Sequence, residues 1–136
     1  MLDHISIRVA DYERSKNFYQ MVLAPLGYKL AMETTSGAGF SRGFIPNFWI
    51  KQGEPTSFSV PAQSSLLAGC GGTALHVAFA SDDRKTVDAF YHAALDAGAR
   101  DNGAPGLRTE YYPHYYGAFV LDPDGYNIEA VCHKAE

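Results

Sequence analysis

Three side chains on strand-like stretches carry the most specific chemistry this sequence offers. His4 and His76 each stand in a run of alternating residues, and Glu129 lies inside another, "GYNIEAV". Acidic residues are kept out of half-buried strands because burying an unpaired charge is costly, so Glu129 needs a cationic partner. Alternation places His4, Ser6 and Arg8 opposite Ile5, Ile7 and Val9, and His76 opposite Leu75, Val77 and Phe79. Glu129 shares its face with Asn127 and Val131. If helices cover the aliphatic faces, two imidazoles and a carboxylate converge on the other side. That donor set can hold a divalent ion, Zn, Ni, Mn or Fe, and leave positions open for water or substrate. Arg8 is the rival partner, through a buried ion pair with Glu129.

Other side chains have claims on the same cavity. Tyr116 leads the run "YGAFVL" and shares a face with Ala118 and Val120; that face lines the cavity if Phe119 and Leu121 pack under a helix. Tyr116 is then a candidate acid or substrate-orienting phenol. His114, after Pro113 in a predicted loop, is a candidate base at the mouth. Arg8 and Ser6 are candidate substrate contacts, Arg8 for a carboxylate. Trp49 is the expected cavity wall, since adjacent Phe48 and Trp49 cannot both face inward.

The elements that must position these residues are written twice. A shift of 72 positions carries "HISIRVADYERSKNFYQMVL" onto "HVAFASDDRKTVDAFYHAAL" without a gap, His4 falling on His76 and Phe18-Tyr19 on Phe90-Tyr91. Each copy reads as strand, helix, then more strands. Asp11 and Asp83 are the expected helix N-caps. Ser15, Phe18, Tyr19, Val22 and Leu26 form one apolar stripe, and Val87, Phe90, Tyr91, Ala94 and Leu95 the other. Gly27 and Gly98 are the expected stops. "GAGFSRGF" (Gly37 to Phe44) reads as a hairpin loop rather than a phosphate cradle, since it opens no helix. "DPDG" (Asp122 to Gly125) reads as a hairpin turn with no chemistry of its own. The expectation is an α+β fold: two tandem βαβββ modules forming a cupped, barrel-like mixed sheet with helices outside. It forms a single domain over 1–136, with module one at 1–60, a linker at 61–72 and module two at 73–136.

Composition bounds the partners. The chain has 136 residues, 46% hydrophobic and 19% charged, the balance of a globular domain. A net charge of −4 without a basic cluster argues against nucleic acid and anionic membrane. No apolar run is long enough to cross a bilayer. The two cysteines, Cys70 and Cys132, lack zinc or redox spacing, and free thiols in a cytoplasmic protein are expected.

The duplicated unit, the paired histidines and "DPDGYNIEAV" together resemble the vicinal oxygen chelate superfamily of glyoxalase I, extradiol dioxygenases, fosfomycin-inactivating transferases and bleomycin-binding proteins. The resemblance covers essentially the whole chain and is nearest to the glyoxalase-like branch. It implies His4, His76 and Glu129 as metal ligands, a homodimer, a small-molecule substrate and isomerase, lyase or dioxygenase chemistry. A metal-free drug- or metabolite-binding protein of bleomycin-resistance type is the alternative. Glyoxalase I carries a fourth ligand, a Glu in the last strand of its first module; here that position is expected at Ile50 or Lys51, and no carboxylate is present.

Overall fold

The computed structural model describes residues 2–55 and 75–135; the linker expected at 61–72, with Cys70, lies outside the described residues. Module one contains β1 (Ile5–Val9), α1 (Tyr12–Val22), β2 (Lys29–Thr34), β3 (Gly37–Ser41) and β4 (Phe48–Gln52). Module two repeats the order with β5 (His76–Ala80), α2 (Arg84–Asp96), β6 (Arg100–Leu107), β7 (Tyr116–Leu121) and β8 (Asn127–Cys132). The strands form two separate four-stranded sheets, β1-β4-β3-β2 and β5-β8-β7-β6. In each, the first and last strands of the module pair in parallel, and the other pairings are antiparallel. The expected α+β architecture of two βαβββ modules is thus present, as an open cup rather than a closed barrel.

The helices form where the periodicity places them. Asp11 accepts a hydrogen bond from the Arg14 backbone N–H at 3.0 Å, and Asp83 from that of Thr86 at 2.7 Å, so both caps satisfy donors the helix leaves over. The Ser15, Phe18, Tyr19, Val22 and Leu26 stripe is buried. In α2 the stripe is Val87, Phe90, Tyr91 and Ala94, while Leu95 is partly exposed at the last turn, which corrects its expected core position. Gly98 (φ 92°) then reverses the chain, as a residue without a side chain does most cheaply.

The stretch Gly37–Ser41 is not a loop. It is β3, buried along its whole length between β2 and β4. Its glycines are there for space: a Cβ on Gly39 would stand 2.7 Å from Pro46 and 2.9 Å from the Trp49 ring.

One turn joins the modules. Asp122 of the DPDG turn is buried, and its Oδ1 accepts from the backbone N–H groups of Asp124 and Tyr126 at 2.9 and 2.8 Å. Its Oδ2 accepts from the Tyr19 hydroxyl of α1 at 2.6 Å. Asp124 accepts from the Ala10 N–H and the Ser15 hydroxyl, the Arg14 guanidinium donates to the Pro123 carbonyl, and the Tyr126 hydroxyl donates to the Arg8 carbonyl. Apolar contact continues the junction, with the Phe48 and Phe79 rings edge to face at 5.2 Å.

Burial raises the Asp122 carboxyl to about 6, against the pull of the Tyr19 hydroxyl and the two backbone N–H groups. Between about pH 4 and pH 6 the folded chain therefore holds a proton that the unfolded chain has released. Stability linked to this group is present below the unfolded value and lost as pH rises through about 6. We predict a loss of about 2–3 kcal/mol across that window, read from urea midpoints at successive pH values, and its disappearance in Asp122→Asn.

Candidate functional site

Module two builds a compact polar cluster on the side of its sheet away from α2. The parallel register sets His76 beside Asn127 and Ala78 beside Glu129. Alanine at 78 leaves room for His76 to reach along the strand, and its Nε2 lies 2.8 Å from Glu129 Oε2. The other carboxylate oxygen accepts from the Tyr115 hydroxyl at 2.5 Å. Glu129 is only 1% exposed, whereas the His76 side chain is 39% exposed. The carboxylate is therefore recessed and the imidazole forms its open edge.

The rest of the cluster orients these groups. Asn127 Nδ2 lies 2.6 Å from His76 Nδ1, and Asn102 Nδ2 donates to Asn127 Oδ1 at 3.1 Å. This succession of donors assigns the imidazole proton to Nε2, facing Glu129. Phe119, paired with Glu129 across β7 and β8, sets its ring 6.0 Å from that of His76 and under the Arg108 guanidinium. Gly117 keeps the floor clear, since a Cβ there would lie 2.9 Å from Glu129 Oε1. Burial first, then the hydrogen bond to Glu129, push the Tyr115 phenol well above its ordinary pKa, so it stays protonated as a donor.

The face of β7 turned to this cluster is the opposite of the one expected. Tyr115, Gly117 and Phe119 face Glu129, while Ala118 and Val120 are buried in the core. Tyr116 goes with the core face: its hydroxyl donates to Asp88 of α2 at 2.8 Å, and the Arg84 guanidinium lies over its ring. Tyr115 is thus the tyrosine at the cluster. His114 is exposed in the loop just before it.

Module one presents its own hollow, of about 610 Å³, lined among others by His4, Ser6, Thr34, Trp49 and Lys51. His4 is exposed there, with Nδ1 2.7 Å from Asp3 Oδ1. The register settles which residue of β4 corresponds to Glu129. Glu129 pairs with Ala78, and the repeat equivalent of Ala78 is Ser6, which pairs with Trp49. The equivalent is therefore Trp49, not Ile50 or Lys51. Ile50 is fully buried on the core face, and Lys51 lies one position further along the cavity face.

The structure thus brings His76 and Glu129 together and leaves His4 in the other module's hollow. Among the described residues no group of three His, Cys, Asp or Glu side chains converges within one chain. As half of a metal site the pair fits: an imidazole nitrogen and a recessed carboxylate meet at an open edge, and a cation can replace the proton they share. Arg8 is not the partner of Glu129; the described hydrogen bonds of that carboxylate are to His76 and Tyr115. No helix of the described residues is long and apolar enough to cross a membrane.

Twin βαβββ modules, each with polar side chains on the sheet face away from its helix, define the fold class of the vicinal oxygen chelate proteins. The chain belongs to the Glyoxalase/Bleomycin resistance protein/Dioxygenase superfamily, whose family model matches residues 1–130. Among solved structures it is similar to a glyoxalase/bleomycin resistance protein from Albidiferax ferrireducens, at 26% identity over 97% of this chain and 98% of that one, with a TM-score of 0.72. A glyoxalase/bleomycin resistance protein/dioxygenase family enzyme from Burkholderia phytofirmans shares the fold at 22% identity, TM-score 0.67, covering 98% of both chains. So does the fosfomycin resistance protein FosX from Mesorhizobium loti, at 19% identity and TM-score 0.67, covering 98% of this chain and 93% of that one. No curated protein sequence matches the chain.

The two adjacent tyrosines separate by experiment. Tyr115→Phe removes the donor from a buried carboxylate oxygen and is predicted to cost about 1–3 kcal/mol. Most of that cost should vanish in a Glu129→Ala background, which removes the acceptor of the Tyr115 hydroxyl. Tyr116→Phe, which loses its bond to Asp88, should show the same cost in both backgrounds. Denaturant unfolding of the three single and two double variants, beside the parent, measures both couplings.

Proposed function

We propose that this protein is a metal-dependent glyoxalase-like enzyme acting on a small oxygenated metabolite, by isomerase, lyase or dioxygenase chemistry. Its ligands are His76 and Glu129 of one chain and His4 of a second copy. The observation that carries this reading is the burial of Glu129, 1% exposed, against an imidazole and a phenol, with no Lys or Arg salt bridge to it among the described residues. A buried carboxylate so placed is stabilised by a cation at the open His76 edge.

The second copy enters because His4 cannot complete the site within its own module. Its hollow is lined by the exposed apolar side chains Met32 and Ile45, and Leu2 and Phe44, also exposed, adjoin the lining residues Asp3 and Ile45 in sequence, the pattern of a surface that another chain covers. A two-fold dimer that sets module one of each chain against module two of the other creates two equivalent sites. The bound ion would supply Lewis acidity at a substrate oxygen. Tyr115 holds the Glu129 carboxylate in place, Asn127 fixes the imidazole, and the exposed His114 in the neighbouring loop is the residue assigned to exchange a proton with substrate. Arg8, Ser6 and Trp49 are the substrate contacts from module one.

The experiment is elemental analysis of untagged protein beside its variants. One metal per chain is expected in the parent, and almost none in His4→Ala, His76→Ala or Glu129→Gln. Refolding an equal mixture of His4→Ala and His76→Ala chains should restore metal to one of the two sites in each mixed dimer, since one site then has all three ligands. A site contained in one chain gives no such recovery. The satisfied Glu129 oxygens favour a second reading, a metal-free metabolite-binding protein, and a parent that stays empty after incubation with Zn, Ni, Mn and Fe selects it.

A further inference from the structure

Two cations stand side by side in module one with no salt bridge to either among the described residues. Arg8 of β1 and Lys51 of β4 are register partners on adjacent parallel strands, so their side chains leave the same face at the same level. Both are exposed, and neither makes a salt bridge with any described residue. Like charges directly opposed across a sheet destabilise it. The Lys51 stem packs over Gly37, where a Cβ would stand 3.4 Å from its Cγ, and the Arg8 guanidinium lies over Gly53, whose φ is +155°. Asp3, the acid lining this hollow, lies at its other end, bonded to His4.

The neighbouring level of the same face is an aromatic platform. Trp49 precedes Lys51 by two positions in β4, about 6.6 Å along the strand. Its indole presses onto the bare backbone at Gly39, beside Pro46, and lines the hollow with Met32 and Ile45. A flat wall with a pair of exposed cations one step beyond it, neither in a described salt bridge, is complementary to a planar molecule that ends in an anion. Ser6, Thr34 and Ser36 line the same hollow as Trp49 and Lys51, and Arg8 stands beside Lys51 at its margin.

We infer that module one selects planar, aromatic or conjugated carboxylates, with the ring against Trp49 and the carboxylate between Arg8 and Lys51. This rests on the proposed function only in treating this hollow as half of the same cavity; the contacts themselves need no metal. Arginine supplies the paired donors that suit a carboxylate, and lysine adds a mobile point charge. The indole contributes area and a polarisable face.

Trp49 is the sole tryptophan, so its fluorescence reports directly on this wall. Metal-stripped protein is titrated with naphthoate and, separately, with the uncharged isostere naphthamide. The inference expects saturable quenching by both and a preference for naphthoate of about tenfold or more. Lys51→Gln and Arg8→Gln change exposed side chains. Each should cut that preference severalfold, and the pair should abolish it while leaving naphthamide affinity unchanged. Trp49→Leu, followed by calorimetry, should weaken both ligands together. Equal binding of the two ligands, absence of quenching, or a preference that survives Arg8→Gln/Lys51→Gln overturns the inference. Because the protein is metal-free throughout, failure here is distinct from an empty metal site in the elemental analysis: either can fail while the other stands.

Discussion

The arrangement of this protein depends on a buried carboxylate outside the His76–Glu129 cluster. Asp122 ties its own turn together through two backbone N–H groups and grips α1 of the other module through Tyr19. Five residues after it β8 begins, with Asn127 and Glu129 on one face and Ile128 and Ala130 in the core. The tightness of the turn therefore sets where Glu129 emerges, and its hold on Tyr19 sets how module two sits against module one. A buried acid held by hydrogen bonds from fixed donors is specific in a way apolar contact is not, because a small displacement strands a polar group. The ring contacts of Phe48, Phe79 and Tyr28 add area to the junction but tolerate sliding.

Given that frame, the polar face of module two is ordered by geometry at short range. His76 is held from both nitrogens, by Asn127 and by Glu129, and Glu129 from both oxygens, by His76 and Tyr115. Every nitrogen and oxygen of this pair has a partner, and the imidazole forms its solvent-facing edge. Module one is the opposite case, with an open hollow, exposed cations and an apolar rim. One half of the proposed cavity supplies rigid donors, and the other supplies shape and charge.

The fold was largely legible because its main signals are periodic. The repeat, the helix caps and the alternation of β1, β5 and β8 depend on local residue types, and the structure follows them. Where the reading went astray, the pattern lacked contrast. In "YYGAFVL" aromatic residues stand at both parities, Tyr115 and Phe119 on one and Tyr116 on the other, so alternation could not say which face meets the core. Glycine in "GAGFS" has the same one-letter signature whether it turns the chain or makes room for a ring. The equivalence of Trp49 with Glu129 was hidden for a different reason. It depends on strand register, which only the paired structure defines.

Glu129 faces Phe119 across the strands, and Trp49 faces Gly39. In module two the bulky ring is on the third strand and shelters a small acid; in module one the third strand yields its side chain entirely so that the last strand can carry the ring. A carboxylate substituted at Trp49 alone would stand above a vacant glycine, open to water, and would not acquire the sheltered character of its counterpart. Shelter for an acid at this level of the sheet is thus set by a facing pair of residues, and module one would need a change at Gly39 as well as at Trp49 to match its twin.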